Sequence, residues 1–200
     1  MNMQIRIIHP QISLISIILF FLTSCVSSGW EDVAEERYKA KKEFNENIST
    51  DHKKIIKDFF YGKLKYDTGQ NFTKIVGGFY CLWKERDVKI YPHMELNNLF
   101  LNAGYNITNN SNKLNFIIVS QTISHNVGTY SNGGTANQIE TKISVIDLKK
   151  KCVYRLENIM GSLPPSSVSK RNGDNSGSIG SVATESDIFR LIKSNLVFTK

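Results

Sequence analysis

The spacing of apolar residues along the chain predicts both helices and strands. Apolar side chains recur every three or four positions over Pro92–Ala103 and Gly104 follows, which predicts a helix that ends at the glycine. Ile139–Val145 alternates apolar with polar residues, as in a strand with one face in water. Leu114–Ser124 is apolar on both faces at its centre, which predicts a strand inside a sheet.

Helical patterns also occur before and after the segment from Pro92 to Val145. Glu31–Ile48 is charged and has a thin apolar stripe, so it predicts an exposed helix. Ser49-Thr50-Asp51 is a candidate N-cap for a second helix, with Gly62 as its end. The apolar face of this second helix consists of Ile55, Ile56, Phe59 and Phe60. Such a face predicts docking on the protein's own core, with partner binding as the alternative. Thr184–Ser194 predicts a closing helix.

Further strands complete a fold of the α+β class. Phe79–Trp83 and Val88–Tyr91 have strand patterns, and a polar turn at 147–151 leads from the Ile139–Val145 strand into Cys152–Leu156 as a hairpin. The element order predicts a two-layer domain with a mainly antiparallel sheet packed by helices, preceded by an N-terminal helical tether. Residues 128–138 are expected to be a flexible hairpin tip, and the Ser/Gly/Pro-rich stretch 162–181 a disordered loop.

The N-terminus carries a processing signal. An apolar run from Ile12 to Leu22 ends in Leu22-Thr23-Ser24-Cys25. This resembles the lipobox of bacterial lipoproteins, which implies removal of residues 1–24 and acylation of Cys25. A retained membrane anchor and an ordinary signal peptide with a chance cysteine are the alternatives. Against an anchor, the run is short and is interrupted by serines.

The lipoprotein resemblance also implies a location in the cell. Val26, not an aspartate, follows the cysteine, and by the Gram-negative sorting pattern this favours the outer membrane, with the domain facing the periplasm. Two or more acyl chains, as bacterial lipoproteins usually carry, are what stable anchoring requires. The chain is then expected to divide into a signal peptide at 1–24, a lipidated tether with an exposed helix at 25–50, and an α+β domain at 51–200.

Charge narrows the class of partners. The whole chain has a formal net charge of +7, and residues 1–24 contribute only Arg6, so the remainder carries +6 (7 − 1). A basic domain suits an anionic glycolipid, the carboxylates of the cell wall or an acidic envelope protein. The alternative is that the lysines simply solvate the surface. Nucleic acid is not expected as a partner of an exported protein.

After Cys25, the chain contains two cysteines, Cys81 and Cys152. An even pair in an oxidising compartment predicts a disulfide, which would close a loop of about 70 residues and stabilise the fold by roughly 4 kcal/mol. Two buried free thiols are the alternative.

No motif indicates catalysis. His52, His93 and His125 are far apart in sequence and lack zinc-ligand spacing, so no metal site is predicted. The glycine-rich stretch 177–181 does not match a nucleophile elbow or a phosphate-binding loop. Glu185 and Asp187 stand at the start of a helix, where acids complement its dipole. We therefore expect no enzyme activity and no cofactor.

Within residues 79–160, a helix ending in Leu-Asn-Ala-Gly-Tyr precedes a strand, a loop and a strand leading into Ile-Asp-Leu-Lys. In this order of elements the segment resembles small Gram-negative envelope lipoproteins such as those of lipopolysaccharide assembly. The resemblance implies a non-catalytic envelope assembly, scaffold or adaptor component and transfers no site. A periplasmic binding or immunity lipoprotein is one alternative. A cell-wall hydrolase is another, and it would need His93 or His125 beside a carboxylate and a serine.

Overall fold

A computed structural model describes residues 14–67, 74–84, 89–167 and 177–199, with side chains from residue 31 onward. The described part confirms the α+β class. Its helices are α1 (Leu14–Asn47), α2 (Thr50–Phe60), α3 (Met94–Asn102) and α4 (Glu185–Asn195). Within the described residues, no helix is long and apolar enough to cross a membrane.

The strands form one mixed sheet and a small second one. They are β1 (Lys65–Tyr66), β2 (Lys74–Val76), β3 (Gly78–Lys84), β4 (Ile90–Pro92), β5 (Leu114–Thr129), β6 (Thr135–Asp147), β7 (Cys152–Arg155), β8 (Ile159–Met160), β9 (Ser178–Ile179) and β10 (Val197–Thr199). The main sheet has the order β1-β7-β6-β5-β3-β4, and β8 and β9 also pair with β6. Antiparallel pairing predominates through the long β5–β6 hairpin, while β3 and β5 run parallel.

Strand β5 lies inside the sheet, as its two apolar faces predicted. Phe116 and Ile118 join an apolar cluster that includes residues of α3 and α4. Ile117 and Val119 join a second cluster on the other face, which includes residues of α2. Successive strand side chains point to opposite faces, so helices cover both sides of the sheet. The two-layer prediction is thereby extended by a second layer of helix.

The structure confirms the predicted cap of α2 and the glycines predicted to end α2 and α3. Ser49 caps α2, and its Oγ accepts a hydrogen bond from the backbone N–H of His52 at 3.2 Å. Gly62 and Gly104 follow α2 and α3 with φ of 66° and 80°, the left-handed region that glycine adopts without strain. Thr184 and Asp187 form a capping box at the start of α4.

The boundary between tether and domain lies earlier than predicted. One compact unit comprises 40–200 and another 1–39. Phe44 and Ile48 in the last turns of α1 are 6% and 3% exposed and belong to the α2-side cluster. Exposure of the helix, expected up to residue 50, is observed for residues 31–39. Because both apolar clusters lie within 40–200, this unit contains its own core, as an independently folding domain does.

Two segments expected to lack fixed structure are partly ordered. The hairpin tip shrinks to 130–134, where the N–H of Tyr130 donates to the carbonyl of Gly134 at 2.8 Å. Within 162–181, residues 168–176 lie outside the described part. On either side of them, the backbone N–H of Ser162 donates to Ser181 Oγ at 2.8 Å, and that of Ser181 to Ser162 Oγ at 2.9 Å. Strand β9 also pairs with β6 here. The described flanks of the predicted loop are thus joined to each other and to β6 by hydrogen bonds.

Candidate functional site

A groove of about 360 Å³ lies between the last turns of α1 and helix α2. Phe44, Ile56, Phe60 and Ile90 supply its apolar side chains, and the charged side chains that line it are Lys41, Lys53 and Lys57. We call this feature the lysine groove. Ligand sites are typically concave and mainly apolar with a few polar groups that orient the ligand, and the groove has this composition.

Helical periodicity places the groove residues on facing stripes. On α2, Lys53, Ile56, Lys57 and Phe60 follow the spacing i, i+3, i+4, i+7, so they share one side of the helix. On α1, Lys41 and Phe44 are three residues apart and share a side as well. The chain thus alternates a lysine with an apolar residue along both walls, which puts cations beside an apolar surface.

The apolar face of α2 that the sequence singled out is mostly covered by the protein itself. Ile55, Ile56 and Phe60 are buried and Phe59 is half-buried. This confirms docking on the core as the main role of that face. For the alternative, partner binding, the stripe leaves the half-buried Phe59 and the edges of Ile56 and Phe60 that line the lysine groove.

The groove lysines carry charge that no carboxylate neutralises within the described part of the chain. Its lysine–carboxylate ion pairs use Lys39, Lys42 and Lys142. Among the groove lysines, Lys41 Nζ lies 4.6 Å from the ring centre of Tyr91, and Lys57 Nζ lies 5.9 Å from that of Tyr61. A cation over an aromatic ring keeps its full charge. The groove is therefore electropositive and suited to an anion.

A second polar site lies on the β5–β6 hairpin. Glu140 is 8% exposed, and its Oε2 lies 2.7 Å from His125 Nε2 and 3.5 Å from Lys142 Nζ. Its Oε1 accepts a hydrogen bond from Asn158 Nδ2 at 2.5 Å. We call these four residues the Glu140 cluster. Burial alone would raise the pKa of Glu140, but the hydrogen bond from His125 and the charge of Lys142 outweigh it and place the pKa below its usual value.

The Glu140 cluster brings together only part of what a hydrolase needs. His125 and a carboxylate are in contact, but within the described residues no hydrogen bond joins the His125 ring to a serine, which is where a hydrolase would place its nucleophile. The adjacent Thr141, whose buried Oγ1 has no partner within the described structure, points to the opposite face of the strand. The arrangement favours the anionic form of the carboxylate.

The other candidate histidines lie elsewhere. His93 is buried at the start of α3, where its backbone N–H donates to the carbonyl of Cys81 at 3.0 Å and its Nδ1 lies 3.8 Å from Glu95 Oε2. His52 belongs to α2, and burial lowers its pKa despite the neighbouring Asp51. In the part of the chain that the structure describes, no three metal-ligating side chains are grouped. The histidines are therefore not brought together.

The predicted disulfide between Cys81 and Cys152 is not formed. Both are free cysteines, Cys81 on β3 and Cys152 on β7. Strands β5 and β6 lie between them, so the Cα atoms are separated by three strand spacings of about 4.8 Å each. A disulfide requires Cα atoms within about 7 Å. The two thiols face the same cluster but are too far apart across the sheet, which corrects the prediction.

The lipidation site predicted at Cys25 falls on a stretch whose side chains lie outside the described residues. The comparisons add no assignment. No protein-family model matches the chain, and no curated protein matches it.

Proposed function

We propose that this protein is an outer-membrane-anchored lipoprotein, attached through Cys25, that acts as a non-catalytic assembly, scaffold or adaptor component of the cell envelope. Its partner is an envelope protein or an anionic glycolipid. The observation that carries the proposal is the lysine groove, an apolar depression lined by three lysines without an ion-pair partner in the described structure. A site of this composition suits the binding of an anionic partner.

The N-terminal sequence supports the anchoring half of the proposal. Leu22-Thr23-Ser24-Cys25 follows an apolar run of signal-peptide length. Residues 31–39 are exposed and belong to a separate unit from the folded domain at 40–200. Such a segment suits a spacer between an acylated cysteine and the domain. The basic net charge of +7 favours anionic partners at that surface.

The Glu140 cluster supports the non-catalytic half. A general acid or base must exchange a proton with a substrate, which requires a free position on the side chain. Both oxygens of Glu140 are engaged by His125, Asn158 and Lys142, and the residue is buried. The carboxylate therefore fastens the hairpin to the loop that follows β7.

Two variants of the full chain test the proposal in cells. Cys25→Ser is expected to abolish fatty-acid labelling and to remove the protein from the outer-membrane fraction. The triple variant Lys41→Gln, Lys53→Gln, Lys57→Gln is expected to remain anchored but to lose the envelope function, scored as detergent sensitivity of a deletion strain. Lys54→Gln, Lys113→Gln and Lys149→Gln together remove the same charge from exposed positions outside the groove and serve as the control. Unchanged labelling in Cys25→Ser, or full function of the groove variant, contradicts the proposal.

A further inference from the structure

We propose that two copies of this protein pair through an exposed edge of strand β5, with the strand of one copy running antiparallel to that of the other. The pairing uses residues 122–129, which we call the β5 edge. The inference goes beyond the proposed function, because it assigns a contact between copies to a surface that shares no residue with the lysine groove.

Strand β5 has a neighbouring strand on only one side over its second half. The first half pairs with β3 as far as Gln121, which lies opposite Lys84. From Thr122 to Thr129, β5 pairs with β6 alone among the described strands, and no described residue outside β6 forms a backbone–backbone hydrogen bond with this stretch. An unpaired strand edge presents a row of N–H and C=O groups to which another strand can bond. The β5 edge can therefore accept one more strand.

Neither face of the sheet obstructs a strand that approaches the β5 edge. Residues 124–129 are all exposed, although successive side chains point to opposite faces of a sheet. The fully buried part of the strand ends at Ser120, which is 2% exposed. On the other side of the hairpin, β8 and β9 pair with β6. Within the described part of the chain, the outer half of the hairpin thus has its open edge on β5.

The composition of β5 lacks the usual protection against strand pairing. Proteins commonly protect an edge strand with charged side chains, above all lysine, and with proline. The chain has 25 Lys and Arg and 18 Asp and Glu residues, yet none of these and no proline falls within Leu114–Thr129. Thr122, Ile123 and Val127 are β-branched, which favours the extended conformation. The composition of the β5 edge is therefore compatible with direct strand pairing.

The absence of charge favours a second copy as the partner. Two chains with a net charge of +7 repel each other, and like charges directly opposite each other destabilise paired strands. Two copies therefore approach most easily where neither carries a charge, as at the β5 edge. A partner recognised by opposite charge would find little to bind here, since His125 already contacts Glu140 of its own chain at 2.7 Å.

The geometry of the strand limits the length of the pairing. A register shift between Asn126 and Gly128 marks a bulge, which bends a strand and interrupts regular pairing. Regular antiparallel pairing is therefore expected over 122–126, around a twofold axis through this segment. An interface of this length is smaller than that of a stable dimer. The dimer should thus be transient, with a dissociation constant on the order of 10 µM.

The first test is sedimentation velocity of the full-length protein in excess neutral detergent, at concentrations from about 1 to about 200 µM. We expect a reversible equilibrium between monomer and dimer with a dissociation constant on the order of 10 µM. The dimer should become tighter as salt is raised from about 50 to about 500 mM, because salt screens the repulsion between two basic copies.

Two matched variants locate the contact. The variant Ser124→Lys, Asn126→Lys places two cations on the β5 edge, where they meet the same cations of the second copy. The control Thr135→Lys, Asn137→Lys adds equal charge to β6, where Asn137 lies opposite Asn126 and pairs with β9 on its other side. We expect the edge variant to weaken the dimer at least about tenfold and the control by less than about threefold. Urea titrations establish that both variants are folded.

Amide hydrogen exchange of the unchanged protein provides a test that needs no variant. Raising the concentration from about 1 to about 200 µM should slow exchange at alternate residues of 122–126 at least about tenfold, because backbone N–H groups along a strand point alternately to its two neighbours. Exchange at 136–137 and 140–141 should not change, since these residues of β6 are already paired on both sides.

A protein that stays monomeric at about 200 µM overturns the inference. So does a dimer whose exchange at the β5 edge equals that of the monomer, or a dimer that the edge variant and the control weaken equally. None of these measurements depends on the lysine groove or on acylation of Cys25. Their failure would therefore leave the proposed function unchanged, and full function of the groove variant in cells would leave the dimer unchanged.

Discussion

Phe44 stacks on Tyr80, with ring centroids 5.2 Å apart and ring planes 16° apart. The contact joins the last turns of α1 to strand β3, so α1 is part of the folded domain at its C-terminal end. Stacked aromatic pairs contribute about 0.5 to 1.5 kcal/mol beyond the burial of their surface. This single contact moves the start of the domain from residue 51 to about Ala40, in agreement with the compact unit at 40–200.

The Phe44–Tyr80 contact predicts the effect of truncation. A chain that begins at Ala40 should unfold cooperatively, with a midpoint close to that of the full soluble domain. A chain that begins at Ser49 lacks Phe44 and Ile48 and should be largely unfolded or insoluble. The point variant Phe44→Ala should lower the free energy of unfolding by about 3 kcal/mol in urea titrations. Tyr38→Ala, on an exposed position of the same helix (69% exposed), is the control and should change it by less than about 0.5 kcal/mol. Cooperative, unshifted unfolding of the Ser49 chain would restore the tether boundary predicted from sequence.

The cysteines should differ in reactivity. Cys81 is fully buried, and burial raises the pKa of its thiol well above the usual range. Cys152 is half-buried on β7. In native protein carrying Cys25→Ser, we expect iodoacetamide to modify Cys152 on the order of 100-fold faster than Cys81, which requires local opening to react. Peptide mass spectrometry before and after unfolding in urea measures both rates. A disulfide would be revealed if neither cysteine were modified in urea until a reductant was added.

The Glu140 cluster predicts a pH-dependent stability. Because the pKa of Glu140 is lowered in the folded protein, its contribution is complete above the ordinary carboxyl pKa of 4.5 and is lost as pH falls through the lower, folded value. Glu140→Gln should therefore cost about 1 kcal/mol at pH 7, the scale of one hydrogen bond to a charged group after partial replacement by the amide. The difference between variant and unchanged protein should shrink below pH 4.5.

Glu46→Gln is the matched control for Glu140→Gln. Glu46 forms an exposed pair with Lys42 at 4.0 Å, and such pairs contribute little to stability. Urea titrations from pH 3 to pH 7 should show a stability difference for Glu140→Gln that grows with pH, and less than about 0.5 kcal/mol at any pH for Glu46→Gln. A cost for Glu140→Gln that is the same at pH 3 and pH 7 would mean that the carboxylate charge contributes nothing.

Local signals in the sequence were sufficient for helices α2, α3 and α4 and for strands such as β3 and β7. They did not predict the short strands β1, β2, β8, β9 and β10 or the distances across the sheet. Ser49, Gly104 and Thr184 act within one turn of chain, so their roles as caps and stops follow from their neighbours in sequence. The faces of Cys81 and Cys152 also follow from alternation along each strand. Their separation depends on strand order, which places β5 and β6 between them, and no local pattern encodes strand order.

The same limit applies to the candidate sites. The stripe of Lys53, Ile56 and Lys57 is visible in the sequence, but Lys41 and Ile90 reach the groove only because α1 and β4 pack beside α2. The contact of His125 with Glu140 depends on the register of the β5–β6 hairpin, which pairs His125 with Gln138 before a shift at residues 126–128. Each site therefore forms only when tertiary packing brings separate segments of the chain together. The sequence shows which residue types are available but not which of them come into contact.

The order observed on either side of residues 168–176 can be tested at a glycine. A Cβ atom on Gly180 would lie 1.9 Å from the carbonyl oxygen of Ser162, closer than any real contact. Gly180→Ala must therefore separate the two backbone segments, which are linked by the reciprocal Ser162–Ser181 hydrogen bonds. We expect a loss of at least about 1 kcal/mol in the free energy of unfolding. Amide hydrogen exchange at Ser162 and Ser181 should be faster as well.

Gly128→Ala is the control for Gly180→Ala. Gly128 lies in β5, and a Cβ there would meet only the Ala136 Cβ, at 4.0 Å, an ordinary contact. Replacing this glycine should leave stability unchanged or raise it by up to about 1 kcal/mol, because alanine has fewer conformations to lose on folding. If Gly180→Ala behaved like Gly128→Ala, the segments at 161–163 and 180–181 would not be held together in solution. The stretch from 162 to 181 would then be the disordered loop that its composition predicts.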